Sequence, residues 1–180
     1  MKGLDNKYTE PRFCEMCGTR TLWKPRDGGE GKLETCPNCG HRMFRNSKPC
    51  VGALVIDKGR IALIRRSIKP FKDFWDIPGG FLEETEHPKE GAVREVREET
   101  GLEIEPTEIL DIFIDSYDGC QYTHNVYYIA KPVGGELSAR DESSDAGWFP
   151  LNELPDNIAF PNHAWKVLNM LKDKLKESEG

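Results

Sequence analysis

Glu95, Glu98 and Glu99 stand at the spacing that puts three carboxylates on one side of a helix. At about 100° per residue, Glu98 falls about 60° to one side of Glu95 and Glu99 about 40° to the other. Val93, Val96 and Thr100 lie roughly 100° to 160° away and form the stripe a core would cover. Gly91 falls inside the carboxylate arc, one turn before Glu95. Like charges this close repel, and a helical glycine costs about 1 kcal/mol relative to alanine. Helix stability alone therefore gives no reason for the pattern. Hard divalent cations such as Mg²⁺ or Mn²⁺ give one, because they prefer oxygen ligands and are shared by several carboxylates. The missing side chain at Gly91 would leave room for metal-bound water or phosphate. The matching chemistry is metal-assisted attack of water on phosphorus. Taken by itself, Glu-x-x-Glu-Glu also describes a solvated acidic helix face.

A second constellation has different chemistry. Cys14-Glu15-Met16-Cys17 and Cys36-Pro37-Asn38-Cys39 are two Cys-x-x-Cys pairs separated by eighteen residues. Each pair forms a tight knuckle, with Gly18 and Gly40 behind it to let backbone N–H groups approach the sulfurs. Two knuckles supply the tetrahedral four-sulfur shell that structural Zn²⁺ favours. An iron site, disulfides and a redox pair are the rivals. Cys50 and Cys120 stand alone and read as plain thiols, and His41, His124 and His163 share no ligand spacing. His87 is placed to cap the carboxylate helix ahead of Pro88.

The elements that must position these groups follow from pattern and charge. Of the 180 residues, 37% are hydrophobic and 31% charged, which suits a folded chain with one good-sized core and a minor module. Residues 1–50 carry ten Lys/Arg against six Asp/Glu, a formal +4, which falls to +2 with four thiolates and one Zn²⁺. Residues 51–180 carry fifteen against twenty-five, a formal −10. So acidic a part is a poor nucleic-acid binder, and to handle phosphate it needs metal ions. No apolar run approaches the ~20 residues of a membrane span. The start Met1-Lys2-Gly3-Leu4-Asp5 has no signal-peptide core, so a cytoplasmic location is expected.

Residues 1–46 are expected to form a zinc ribbon with a loose N-terminus, and Asn46-Ser47-Lys48-Pro49 reads as a linker. Val51–Ile56 and Arg60–Ile64 read as a hairpin about Asp57-Lys58-Gly59, and Phe71–Gly80 as an aromatic loop. Pro88–Thr100 is the carboxylate helix, closed by Gly101. Ile109–Ile114 and Tyr122–Ala130 are expected strands joined through Asp118-Gly119, with a short strand near Trp148-Phe149 and a last helix over Ala164–Leu175. The alternation gives an α/β class over residues 50–176.

Residues 80–102 resemble the Nudix box, G-x5-E-x7-R-E-U-x-E-E-x-G-U with U aliphatic. All nine fixed positions match: Gly80, Glu86, Arg94, Glu95, Val96, Glu98, Glu99, Gly101 and Leu102. The approach Trp75-Asp76-Ile77-Pro78-Gly79-Gly80 is also similar, and Thr85, where many members carry Gly, is at a variable position. The resemblance implies an α/β/α Nudix sandwich with a mixed sheet. It implies a hydrolase that opens the diphosphate of a nucleoside diphosphate linked to another moiety. Glu95, Glu98 and Glu99, with the Gly79 carbonyl, would hold catalytic Mg²⁺ or Mn²⁺. Glu86 would hold Arg94, which would orient Glu95 through its planar fork.

Family members take their general base from a box glutamate, here Glu95, or from a loop before a late strand, which Asp141-Glu142-Ser143-Ser144-Asp145 resembles. Glu142 is the first candidate and Asp145 the second. A ribbon ahead of the domain resembles the branch containing NADH, ADP-ribose and FAD pyrophosphatases. The NADH-type signature S-Q-P-W-P-F-P-x-S is absent after the box, whereas Asn157-Ile158-Ala159-Phe160 looks like the ADP-ribose/FAD type. Arg65 and Arg66 are candidates for the phosphates, and Phe71, Phe74 and Tyr122 for stacking a ring. The expected partner is a small nucleotide, without membrane or nucleic acid, and self-association as a homodimer stays open. The competing reading is a zinc-ribbon module that binds nucleic acid or protein on a Nudix scaffold.

Overall fold

A computed structural model of the chain describes residues 11–116 and 121–178. Residues 1–10, the expected Asp118-Gly119 turn and Cys120 lie outside the described residues. Two compact units are present: residues 11–47 with 121–122, and residues 48–116 with 123–178.

In the first unit, Leu22–Pro25 (β1), Lys32–Thr35 (β2) and Arg42–Met43 (β3) make a small antiparallel sheet in that order. So few apolar residues cannot build a core, and a carboxylate stands at the centre instead. Glu34 is fully buried. It accepts from Thr21 Oγ1 at 2.5 Å, the Arg12 N–H at 2.6 Å, Arg45 at 3.1 Å and Arg12 Nε at 3.2 Å. Burial alone would raise its pKa, but Thr21, the Arg12 amide and Arg45 outweigh burial and hold it at about 2.

The second unit contains Lys48–Asp57 (β4), Arg60–Arg66 (β5), Trp75–Asp76 (β6), Gly79–Phe81 (β7), Pro88–Thr100 (α1), Leu102–Asp115 (β8), Thr123–Gly135 (β9), Ser143–Pro150 (β10) and Pro161–Ser178 (α2). The sheet runs β10-β5-β4-β9-β8, with β6 on β5 and β7 on β4. Its β4–β9 ladder is parallel and its other ladders are antiparallel, so the sheet is mixed. The strands bury side chains on both faces. Val51, Ala53 and Val55 pack with Ala92 and Val96 of α1 on one face. Leu54, Ile61 and Leu63 pack with Val167, Leu168 and Leu171 of α2 on the other. This is the expected α/β/α sandwich.

Several boundaries differ from the sequence reading. Lys48 and Pro49, read as linker, are the first residues of β4, paired with Thr123 and His124 of β9. The strand read at Ile109 starts at Leu102, where Leu102, Ile104 and Pro106 are buried between exposed glutamates. The aromatic loop contains β6 and the first two residues of β7. None of the described helices is long and apolar enough to cross a membrane.

Candidate functional site

Helix α1 is fixed at both ends. His87 caps its start, with Nδ1 accepting from the Lys89 N–H at 3.1 Å. Gly101 closes it in the left-handed region, φ 72°, a conformation that costs glycine nothing. The last carbonyls are taken by a neighbouring loop: Arg140 N–H donates to Glu99 O at 3.0 Å and Ser138 N–H to Thr100 O at 2.9 Å. Val96 and Thr100 are buried, so the helix has one rotation about its axis and its carboxylates one direction.

Arg94 is at the centre of those carboxylates. Its Nε and one terminal nitrogen grip the two oxygens of Glu86 at 2.7 and 2.8 Å, and that terminal nitrogen also donates to the Phe81 carbonyl at 3.1 Å. The other terminal nitrogen donates to Glu95 at 2.8 Å and Glu98 at 3.1 Å. The Glu86 contact, chiefly, raises the Arg94 pKa further, and Arg94 in turn lowers that of Glu86. Glu95 is shifted upward by burial first, with Glu98 and Glu86 adding to it against the pull of Arg94.

Glu99 is buried and receives the Gly79 N–H at 2.8 Å. Burial pushes its pKa up to about 8; the Gly79 bond opposes the rise, and Asp76 and Glu95 add to it. Two glycines bring strand and helix this close. A Cβ on Gly80 would lie 2.6 to 2.7 Å from the Glu95 carboxylate, and one on Gly79 would strike the Val51 carbonyl. Glu95 and Glu98 thus share the Arg94 guanidinium, and Glu95 and Glu99, both shifted toward the neutral form, stand against the side-chain-free Gly79-Gly80 strand. That donor set fits a hard divalent cation, whose charge would relieve the repulsion. Gly91 has a different task from the one expected. A Cβ there would strike the Leu82 side chain and lie 2.9 Å from Glu86, so the glycine admits the preceding loop and leaves no open room for water or phosphate.

The other candidates gather at the paired ends of β5 and β10. Ser143 pairs with Arg66 and Asp145 with Arg65. The Glu142 carbonyl accepts from both the N–H (2.9 Å) and the Oγ (2.6 Å) of Ser67. The Glu142 side chain is exposed and no contact joins it to the α1 carboxylates among the described residues. Asp145 turns back onto the Ala146 N–H at 2.9 Å. Arg66 binds the Pro70 carbonyl at 2.9 Å and Asp76 at 2.9 Å, while Arg65 is exposed apart from a 3.1 Å bond to the Asp73 carbonyl. Phe71 and Phe74 touch edge to face at 5.7 Å, and Tyr122 is exposed.

Two residues with a bearing on the site escaped the sequence reading. Asp76, whose pKa burial raises, stands close enough to Glu99 to act on it; its only signal was its place in the approach to the box. Arg140 has its guanidinium where a Cβ on Gly101 would fall, against the negative end of α1, and nothing in the sequence marks it.

In the first unit, the sulfurs of Cys14, Cys17, Cys36 and Cys39 all lie within 4.8 Å of one another. The separations Cys14–Cys39, Cys17–Cys36 and Cys17–Cys39 are 3.6, 3.5 and 3.6 Å. These are far too long for disulfides and near the about 3.8 Å edge of a tetrahedron with 2.3 Å metal–sulfur bonds. Gly18 and Gly40 take φ of 70° and 75° with their own N–H groups on the carbonyls of Cys14 and Cys36, and the backbone beyond each turns back as expected: Thr19 reaches the Cys17 sulfur and His41 that of Cys39, while Cys39 and Asn38 reach that of Cys36.

Comparison with known proteins agrees with this geometry. A family model described as the NUDIX domain matches residues 46–171. The chain is similar to an ADP-ribose pyrophosphatase of Methanocaldococcus jannaschii, 31% identical over 141 residues that cover 78% of this chain and 80% of that one. It is also similar to the NAD-capped RNA hydrolase NudC of Pseudomonas aeruginosa, 33% identical over 150 residues, though it spans only 49% of that protein's length. Among solved structures, a NUDIX hydrolase from Nitrosomonas europaea superposes with a TM-score of 0.78 at 26% identity, covering 92% of this chain and 91% of that one.

Proposed function

The chain belongs to the Nudix family of hydrolases, and from that premise we propose that it cuts the diphosphate of a nucleoside diphosphate linked to a second moiety, with ADP-ribose, FAD or a related dinucleotide as substrate. The observation that carries this reading is Arg94, clamped by Glu86 and holding Glu95 and Glu98, beside the Gly79-Gly80 strand that meets Glu99 and Glu95. Likeness to an ADP-ribose pyrophosphatase over most of both chains supports the substrate class.

Glu95, Glu98, Glu99 and the Gly79 carbonyl would hold Mg²⁺ or Mn²⁺, which when bound neutralises phosphate charge and makes water a better nucleophile. Glu86 fixes Arg94, and Arg94 fixes the aim of Glu95 and Glu98, so the ligand oxygens are ordered before substrate arrives. Water attacks one phosphorus, the bridging P–O bond breaks, and the water proton passes to the Glu142 carboxylate. Glu142 suits that role through its exposed side chain and a backbone pinned by Ser67. Arg65 presents an exposed guanidinium for the outer phosphate, and Arg66 serves the same end by fixing the loop through Pro70 and Asp76. The four-cysteine cluster would hold one structural Zn²⁺.

The test is product analysis on ADP-ribose, FAD, NADH, diadenosine polyphosphates and nucleoside triphosphates with Mg²⁺ or Mn²⁺. ADP-ribose or FAD should give AMP and the second monophosphate. Turnover of triphosphates alone would overturn the substrate class, and no turnover of any would remove the hydrolase reading.

A further inference from the structure

The end of β5 and the loop from it to β6 carry Arg65, Arg66, Lys69 and Lys72 against one carboxylate, Asp73, in the part of the chain whose formal charge is −10. The arginines spend donors on the loop itself. Arg66 holds the Pro70 carbonyl and Asp76, and Arg65 holds the Asp73 carbonyl, which Asn157 Nδ2 also reaches at 3.2 Å. These bonds keep two non-glycine residues in the left-handed region, Phe71 at φ 58° and Asp73 at φ 69°. Strain of this kind persists only where the surroundings over-determine it, and it collects at ligand clamps and active sites.

An open cleft of about 550 Å³ is lined by Lys69, Pro70, Phe71 and Lys72. Lys69 and Lys72 are exposed and have no ion pair among the described residues. The Phe71 ring is braced edge to face by Phe74 at 5.7 Å and Phe160 at 4.8 Å, so it cannot fold inward and fill the space. Two unneutralised ammonium groups beside a braced ring match a phosphate next to a planar base.

We infer that the cleft over Lys69–Lys72 binds a phosphate carried on the nucleoside end of a ligand, outside the diphosphate that is cut, with the adjoining base against Phe71. It rests on the hydrolase reading only in making that nucleoside part of the substrate. The phosphate is either a terminal monoester or the next diester of a longer nucleotide chain.

The experiment is calorimetric titration of the complete chain, in buffer free of Mg²⁺ and Mn²⁺, with adenosine, AMP, adenosine 3′,5′-bisphosphate and the 5′-phosphorylated dinucleotide pApA. Wild type, Lys69→Gln/Lys72→Gln and a Lys58→Gln control at the opposite end of β5 are compared. The bisphosphate should bind wild type and the control at least tenfold more tightly than adenosine, and the double variant should lose most of that gain. A pApA affinity above that of the bisphosphate identifies the diester source, and an equal or lower one the monoester. Equal affinity of wild type and double variant for the bisphosphate, or no gain over adenosine, overturns the inference. Lysine-dependent binding by a chain that hydrolyses nothing with Mg²⁺ present removes the hydrolase reading and leaves the cleft.

Discussion

The Gly79 N–H donates to the Glu99 carboxylate across 2.8 Å, joining the short strand β7 to the last turn of α1. It is the one hydrogen bond the buried Glu99 side chain receives among the described residues, while Asp76 and Glu95 press on it with like charge. Two consequences can be measured.

The first is a pH dependence of stability in Mg²⁺-free buffer. Folding raises the Glu99 pKa from 4.5 to about 8, so between those values the folded chain binds more protons than the unfolded one. Stability should therefore fall as pH rises from about 4.5 toward 8 and level off above, by an amount on the order of a few kcal/mol. Thermal melts from pH 5 to 8.5 should show this slope, and Glu99→Gln should flatten it and melt higher than wild type at pH 8. An unchanged slope in the variant would mean another group is titrating.

The second is the response to the divalent ion. Mg²⁺ should raise the wild-type melting temperature more at pH 8 than at pH 5, because binding must displace a proton at low pH. Glu98→Gln, on the more exposed limb of the cluster, should keep its fold and lose at least about a hundredfold in kcat, about 2.7 kcal/mol of barrier. Near-normal turnover in saturating Mg²⁺ would remove Glu98 from the site.

Gly91→Ala separates helix propensity from site geometry. Alanine favours the helix by about 1 kcal/mol, but its Cβ would crowd Leu82 and Glu86. Both obstacles are ends of flexible side chains, so stability should change by less than about 1 kcal/mol while a displaced Glu86 loosens Arg94. A drop in kcat of about three- to tenfold with little change in melting temperature is expected. Full activity would show that the Glu86–Arg94 grip tolerates the shift.

What the sequence could and could not reveal divides along the same line. The arc of Glu95, Glu98 and Glu99, the His87 cap and the Gly101 stop were legible because each depends on local spacing along one helix. The task of Gly91 was not, since the wheel shows which residues share a face but not which loop crosses it. Lys48 and Pro49 read as linker because proline biases its neighbour toward an extended conformation, which a linker and a strand share, and their pairing with β9 is non-local. The early half of β8 hid behind alternating glutamates and Pro106. Arg140 reaches α1 only through tertiary structure, so no pattern announces it.

The ribbon should carry one equivalent of zinc. Cys36→Ser should release it and unfold the first unit, because metal binding supplies much of the folding free energy of such a module. The hydrolase should keep residual activity. Iron in elemental analysis, or a folded, reduced and metal-free first unit, would overturn the zinc assignment.

If Glu142 takes the proton, Glu142→Gln should lower kcat by well over tenfold with substrate affinity similar, and Asp145→Asn should be mild. The acidic limb of the pH–rate profile should shift or vanish in Glu142→Gln. If that limb is unchanged and the loss is under about tenfold, near 1.4 kcal/mol, Glu95 becomes the base to test.

The parallel ladder between β4 and β9 also sets how the chain must assemble. β4 with β5, and β8 with β9, are neighbours in sequence and can close as hairpins. The seam that puts Lys48 beside Thr123 and Val55 beside Ala130 cannot form until α1 and both hairpins have been brought together. Closing so long a loop comes before its contacts repay it, so the seam is expected to form at the rate-limiting barrier. Val55→Ala should then slow refolding about as much as it destabilises the protein, whereas a change in the β4–β5 turn should act mainly on unfolding. Because the helix that carries the carboxylates lies between the two hairpins in sequence, the hydrolytic site is complete only when the whole sheet is, and recovery of activity should track the slowest phase of folding.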